Sequence, residues 1–134
     1  MRTATVIVAT FVALGALVVV SAQQAGFKRT VLQQADLSTP GREVVTAIAE
    51  FQNGATSGRH THPGEEAGYI LEGSIVVEQD GKPPVTLGAG KTFFIPAGTI
   101  HHATNRGGSA ARVLATYIVE KGKPVATPAA PATK

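Results

Sequence analysis

The sequence of 134 residues contains no cysteine and no tryptophan, and only 16% of its residues are charged. Without thiols the chain can form no disulfide, no thiolate metal site and no cysteine nucleophile, so any metal ligands must be nitrogen and oxygen atoms. The 12 lysines and arginines exceed the 9 acidic residues by a net charge of +3. These charges are scattered and follow no aromatic stripe, so we expect no nucleic-acid partner. The length predicts one domain.

The first residues differ from the rest of the chain. Arg2 precedes an uncharged apolar run at residues 4–20, and Val20 and Ala22 are small residues where a signal peptidase would cleave. We therefore predict a signal peptide at residues 1–22 and an exported protein, periplasmic or secreted, without stable membrane association. The alternative is an uncleaved N-terminal membrane anchor, because the run is near the lower length limit of a spanning helix.

Short runs rich in β-branched residues follow at near-regular spacing. The segment REVVTAIAEF at residues 42–51 alternates in a way that favours a strand, and similar runs occur at residues 68–71, 74–79, 85–87, 92–95 and 111–119. Glycine and proline separate the runs, as in the turn at Asp80-Gly81. No helical pattern follows the N-terminal segment, so the sequence predicts an all-β sandwich or barrel.

The last residues, 123–134, combine prolines with small residues and have almost nothing apolar to bury. We expect them to form a disordered tail. The folded domain is then residues 23–122.

Half of the four histidines lie in the stretch GRHTHPGEE, residues 58–66. Residues i and i+2 of a strand share a face, so His60 and His62 point the same way. Glu66 follows after a turn and could return as a third ligand, whereas Glu65 is expected to face solvent. Histidines clustered with a carboxylate are typical ligands of first-row divalent metals. The alternative is an exposed polar loop with incidental histidines.

The other two histidines, His101 and His102, are adjacent. If they lie on a strand, only one of them can face the cavity of the first pair. A fourth ligand must therefore come from this second pair.

These stretches resemble the two motifs of the cupin family. The first, G-x5-HxH-x3-E-x6-G, is filled at every spacing by Gly54, His60, His62, Glu66 and Gly73. The second, G-x5-PxG-x2-H-x3-N, is filled by Gly90, Pro96, Gly98, His101 and Asn105. The separation of the motifs, residues 74–89, resembles that of small single-domain bacterial cupins.

The resemblance implies a single jelly-roll β-barrel that holds one divalent metal ion, with the ligands His60, His62, Glu66 and His101. His102 would then point away or stand beside the ligands in the pocket. The ligand types admit Mn, Fe, Ni, Co, Cu or Zn. The resemblance also makes a homodimer the default expectation.

Strand alternation predicts the remaining pocket wall. If the strand after Glu66 is regular, Ile70 shares its inward face. Phe93 and Phe94 face opposite sides of their strand, and we take Phe94 as the pocket residue. Tyr117 is expected in the core. The predicted interior then has no proton-transferring group beside the metal.

Three functions remain open for such a site, since the fold does not decide among them. The leading hypothesis is an exported metal-dependent, dioxygenase-like oxidoreductase acting on a small chelating organic molecule. The alternatives are a non-catalytic module that binds a small molecule or sugar, and a metal-dependent lyase or isomerase. Because lyases and isomerases need a proton-transferring group, the predicted pocket mildly favours oxygen chemistry or binding.

Overall fold

The computed structural model describes residues 24–132, which contain ten β-strands and no helix. The strands are β1 (Phe27–Asp36), β2 (Arg42–Phe51), β3 (His60–Thr61), β4 (Gly64–Glu72), β5 (Ser74–Gln79), β6 (Val85–Gly88), β7 (Thr92–Ile95), β8 (His101–Thr104), β9 (Ala111–Glu120) and β10 (Thr127–Pro128). This confirms the predicted all-β class. Within this part of the chain no helix has the length and hydropathy needed to cross a membrane. The predicted signal peptide, residues 1–22, lies outside the described residues.

The strands form two antiparallel sheets in a jelly-roll arrangement. One sheet has the order β1-β2-β9-β4-β7 and the other the order β10-β3-β8-β5-β6. The central strands β2 and β9 alternate buried and more exposed residues along their whole length. This period of two follows from the pleat, which sends successive side chains to opposite faces.

Two clusters of buried apolar side chains fill the interior. The larger cluster joins both sheets, with Phe27, Ile70 and Ile75 among its members. The smaller cluster belongs to β2 and β9 and includes Tyr117. Residues of both clusters line one cavity of the barrel. The buried polar residues His60 of β3, Glu66 of β4 and His101 of β8 line the same cavity.

Two glycines shape the backbone around the histidine motifs. Gly98 has a φ of 70°, a left-handed conformation that glycine adopts without strain, and its N–H donates to the carbonyl of His62 at 3.2 Å. A Cβ on Gly64 would lie 1.9 Å from the carbonyl oxygen of Ile118. Strand β4 therefore lies too close to β9 at this point to accept a side chain.

The C-terminal segment differs from the disordered tail predicted for residues 123–134. In its described part, up to residue 132, β10 pairs with β3. The N–H of Ala129 donates to the carbonyl of Arg59 at 2.9 Å, and Val125 packs against the smaller core cluster. The order of this segment comes mainly from backbone hydrogen bonds to a distant strand, which its composition does not reveal.

Candidate metal centre

The histidines of the two sequence motifs meet inside the barrel. Strands β3 and β8 are antiparallel neighbours, and their register pairs His60 with His101. His62 lies two residues beyond His60, and both rings turn inward, as strand alternation predicts. The three imidazoles are buried, and their ligand atoms all lie within 4.8 Å of one another. Three buried histidines could hold a metal ion.

Glu66, on β4 of the facing sheet, completes the group. Its Oε2 lies 3.0 Å from Nε2 of His62 and 3.2 Å from Nε2 of His101. The Nε2 atoms of His60 and His62 are also 3.2 Å apart. Donor atoms that share an ion through bonds of about 2.0–2.2 Å lie roughly 3.0–3.4 Å apart. These three separations fit donors that share one divalent ion, and the grouping within 4.8 Å is formed by the three histidines.

Each histidine binds a backbone carbonyl through its other ring nitrogen. Nδ1 of His60 donates to the carbonyl of Gly58 at 2.7 Å, and Nδ1 of His62 donates to that of Val125 at 2.5 Å. Nδ1 of His101 donates to the carbonyl of Thr99 at 2.9 Å. Because a carbonyl can only accept, Nδ1 carries the hydrogen and the lone pair of Nε2 points at the centre. When the rings are neutral, three lone pairs and a carboxylate oxygen therefore converge, an arrangement that a cation stabilises.

The pKa values favour a neutral ring at His60 and an ionised carboxylate at Glu66. Burial, together with the charge of His101, lowers the pKa of His60 from 6.5 to about 3. Burial alone would raise the pKa of Glu66, but contacts with His101 and His62 oppose it and lower this pKa to about 2. Histidines bind a metal as neutral rings, so a divalent ion held by the three imidazoles and Glu66 would carry a net charge of about +1.

A cavity of about 30 Å³ lies beside these side chains. One water molecule needs about 10–15 Å³ on the same measure, so the space holds roughly two or three water-sized groups. His60, Glu66 and His101 form one part of its wall, and residues of both core clusters form much of the rest. The cavity is partly open to solvent, so a small ligand can reach these side chains.

Arg29 and Tyr117 also line this cavity, and neither is among the predicted pocket residues. Nε of Arg29 donates to the hydroxyl of Tyr117 at 3.1 Å, and the Tyr117 ring centre lies 4.7 Å from that of His62. The expectation of an interior that is apolar apart from the metal is therefore wrong, since an arginine and a phenol line the cavity. Strand alternation could have found both residues, because Arg29 shares a face with Phe27 and Tyr117 shares one with Val119.

The position of Tyr117 follows from the β4–β9 register, which places it opposite Glu66. Burial raises the pKa of Tyr117 above its ordinary value, and the negative charge of Glu66 raises it further. The phenol therefore keeps its proton at neutral pH and can donate a hydrogen bond to a ligand.

Two predicted pocket residues lie away from the cavity. Ile70 is fully buried in the larger core cluster and does not line the cavity. Phe94 is 56% exposed on the outer surface. The β4–β7 register pairs Phe93 with inward-facing Gly68, so Phe93 is the phenylalanine that lines the cavity.

His102 and Glu65 point away from the site. Nε2 of His102 lies 2.7 Å from Oε2 of Glu78, its register partner on β5. Glu65 accepts a hydrogen bond from Arg42 at 3.0 Å. Each is the chain neighbour of an inward ligand, so strand alternation turns it to the opposite face.

Asn105, the last residue of the second motif, has a structural role. It is fully buried, and its Nδ2 donates to the carbonyls of Phe51 at 3.1 Å and Ser109 at 2.6 Å. Its Oδ1 accepts from the N–H of Gly107 at 2.9 Å. These bonds hold the loop between β8 and β9 against the end of β2.

Comparison with known families matches residues 47–124 to the cupin domain. This chain belongs to the cupin family. The matched residues include the four converging side chains of the candidate metal centre, so the family assignment and the geometry concern the same part of the molecule.

Proteins that are similar to this cupin include a transcriptional regulator, an oxidase and a lyase. It is 33% identical over 79 residues to the HTH-type transcriptional regulator PuuR of Escherichia coli K12, which covers 58% of this chain and 42% of the regulator. An oxalate oxidase in complex with the substrate analogue glycolate matches with a TM-score of 0.58 and 27% identity, over 69% of this chain and 50% of that one. The DMSP lyase DddQ from Ruegeria pomeroyi DSS-3 matches with a TM-score of 0.65 and 23% identity, over 81% and 54%. The chain spans about half the length of these relatives, or less.

Proposed function

We propose that this cupin is a metal-dependent, dioxygenase-like oxidoreductase that acts on a small chelating organic molecule. The observation that carries the proposal is the convergence of three Nε2 lone pairs with the carboxylate of Glu66 beside an interior cavity. His60, His62, Glu66 and His101 would hold one divalent ion, which supplies Lewis-acid or redox chemistry to a bound molecule.

Two findings support a small substrate. The space of about 30 Å³ beside the candidate ligands favours a small group bound there. The oxalate oxidase that resembles this chain is bound to glycolate, which is a small chelating molecule. We extend a small chelating substrate from that protein to this one as part of the proposal.

The chain itself contributes orientation and exclusion of water. Backbone carbonyls fix the three imidazole rings, so little reorganisation is needed when a cation or substrate binds. The rings of Phe27 and Phe93 form apolar wall on the other side of the cavity. Low polarity there strengthens the attraction between the centre and a charged ligand.

Metal analysis followed by oxygen-uptake measurements tests the proposal. Protein lacking residues 1–22 should bind about one equivalent of a divalent metal and consume O2 with at least one small chelating substrate. His62→Ala should lose the metal and the uptake but keep its circular dichroism spectrum, whereas the outward-facing control Glu65→Gln should retain both. A folded protein that binds none of Mn, Fe, Co, Ni, Cu and Zn would disprove the metal centre. A loaded protein that consumes no O2 with any substrate would disprove the oxidoreductase.

The lyase or isomerase alternative is favoured by one observation, the buried hydroxyl of Tyr117 at the cavity. The phenol would supply the general acid that such reactions need, although its raised pKa disfavours release of the proton. Incubation of substrates with the loaded protein in D2O distinguishes the two functions. Product formation with solvent deuterium and without O2, lost in Tyr117→Phe, would identify the lyase or isomerase.

We also propose export through a signal peptide at residues 1–22. The uncharged run after Arg2 and the small residues Val20 and Ala22 support it. N-terminal sequencing of the exported protein should begin within a few residues of Gln23. Intact Met1 in a membrane fraction would instead show an uncleaved anchor.

A further inference from the structure

Arg29 places a guanidinium group in the wall of the cavity. Among the described residues that line this space there is no lysine and no other arginine. Its Cζ lies 5.4 Å from the ring centre of Phe27 and 5.5 Å from that of Tyr117. The two aromatic rings and the bond from Nε to the Tyr117 hydroxyl hold the side chain in place.

Arg29 differs from two other arginines of the barrel in having no acidic partner. Arg42 binds Glu65 at 3.0 Å, and Arg59 binds both carboxylate oxygens of Asp80 at 2.8 Å. Within residues 24–132 no carboxylate lies within 4.0 Å of the Arg29 nitrogens, and the Tyr117 hydroxyl is the acceptor it has there. Its two terminal amino groups therefore lack a protein acceptor in the described part of the chain.

The terminal amino groups of arginine form a planar fork that matches the two oxygens of a carboxylate. The positive charge of Arg29 adds to the net charge of about +1 that a metal bound by Glu66 and three neutral histidines would give. Apolar neighbours in the wall, including Ile75 and Val77, weaken the screening of these charges. An anion that enters the cavity is attracted by both centres, whereas a neutral molecule of equal size gains from neither charge.

We propose that Arg29 binds a carboxylate group of the substrate, which makes the substrate class small carboxylates. Tyr117 is a positioning residue for this contact, since it holds Nε and leaves the fork free. The inference rests on the proposed function for the presence of a small molecule beside a metal. The contact itself requires no oxidation, so it can be tested by binding.

Glycolate and glycolamide are suitable probes because they have nearly the same size and differ in charge. Each is titrated calorimetrically into the Mn²⁺-loaded protein without residues 1–22. Arg29→Gln should weaken glycolate binding roughly ten- to a hundredfold and leave glycolamide binding within about twofold. Arg29→Lys keeps the charge without the fork and should lie between. The matched control Arg112→Gln, which removes an exposed cation on β9, should change neither affinity.

The proposal is overturned if Arg29→Gln binds glycolate within twofold of the parent protein, or if the parent binds glycolamide as tightly as glycolate. Metal content and thermal unfolding show that each variant is loaded and folded, and Arg29→Lys replaces Arg29→Gln if the latter does not fold. Arg29-dependent glycolate binding without O2 uptake would disprove the oxidoreductase and support the carboxylate site. If the protein takes up no metal, glycolate and glycolamide are titrated into the metal-free parent protein and Arg29→Gln and followed by NMR. The same outcomes then support or overturn the carboxylate site.

Discussion

Nδ1 of His62 donates a hydrogen bond to the carbonyl of Val125, 63 residues later in the chain, at 2.5 Å. The bond fixes the rotation and the tautomer of a ring whose other nitrogen faces the candidate metal centre. Val125 is held in turn by the pairing of β10 with β3 and by its packing on the smaller core cluster. The C-terminal segment is therefore part of the support of the site.

Truncation of the chain after Gly122 should weaken metal binding about 10- to 100-fold, because it removes the acceptor that orients His62. The barrel should stay folded, since most of its core lies before this point. Competition with a chelating dye measures the affinity. A chain ended after Ala130 keeps Val125 and β10 and should bind like the full chain. Equal metal affinity of both truncated chains would show that the segment does not support the site.

Substitution by alanine of the adjacent histidines His101 and His102 should have different effects on metal binding. His101→Ala removes a nitrogen that lies 3.2 Å from the Glu66 carboxylate and should abolish stoichiometric metal binding. His102→Ala removes only an outward contact with Glu78 and should leave the metal content unchanged. Metal analysis of the two purified variants makes the comparison. If His102→Ala lost the metal and His101→Ala kept it, His102 and not His101 would be the ligand that faces the site.

The metal-free protein should lose stability as the pH falls from 7 to 5. The folded pKa of His60, about 3, lies below its ordinary value of 6.5, so between these values the unfolded chain binds more protons. This single group should lower the free energy of unfolding by about 2 kcal/mol between pH 7 and pH 5. The lowered pKa of Glu66, about 2, adds a further loss below pH 4.5.

Urea unfolding of metal-free protein at several pH values measures this dependence. His60→Gln has no group to protonate at this position, so its stability should vary less between pH 7 and pH 5. If the parent and His60→Gln show the same pH dependence, His60 is not held neutral by the fold.

The sequence predicted the parts of the molecule that depend on local periodicity. The alternation of residue types with a period of two predicted the long strands. It also predicted that His60 and His62 lie on one face. Glu66 and His101 could be added because the motifs fix their spacing from the first pair. The shared face of His60 and His62 follows from backbone geometry within a short segment, whereas the addition of His101 depended on the resemblance to the cupin motifs.

The parts that depend on long-range register could not be predicted in this way. Alternation shows that Phe93 and Phe94 face opposite sides, but only the pairing of Phe93 with Gly68 selects the inward one. Likewise, β10 exists because β3 offers it hydrogen-bond partners, and its own composition gives no signal. Arg29 enters the cavity because β1 pairs with β2, and an arginine near the start of a strand is more often solvated.

Gly64→Ala should be strongly destabilising, because the added Cβ would lie 1.9 Å from the carbonyl oxygen of Ile118 and 2.7 Å from the Cα of Val119. Both are backbone atoms and cannot turn aside, so β4 and β9 would have to separate, at a cost of roughly 2 kcal/mol or more. Separation would also move Glu66, two residues along β4, and weaken metal binding.

Gly88→Ala is the matched control for this substitution. Gly88 also lies in a strand, and a Cβ added to it would meet no heavy atom within 4 Å, so alanine there should change the free energy of unfolding by less than about 0.5 kcal/mol. Urea unfolding of the two variants measures the difference. Equal stabilities would contradict the close contact between β4 and β9, and with it the position of Glu66 opposite Tyr117.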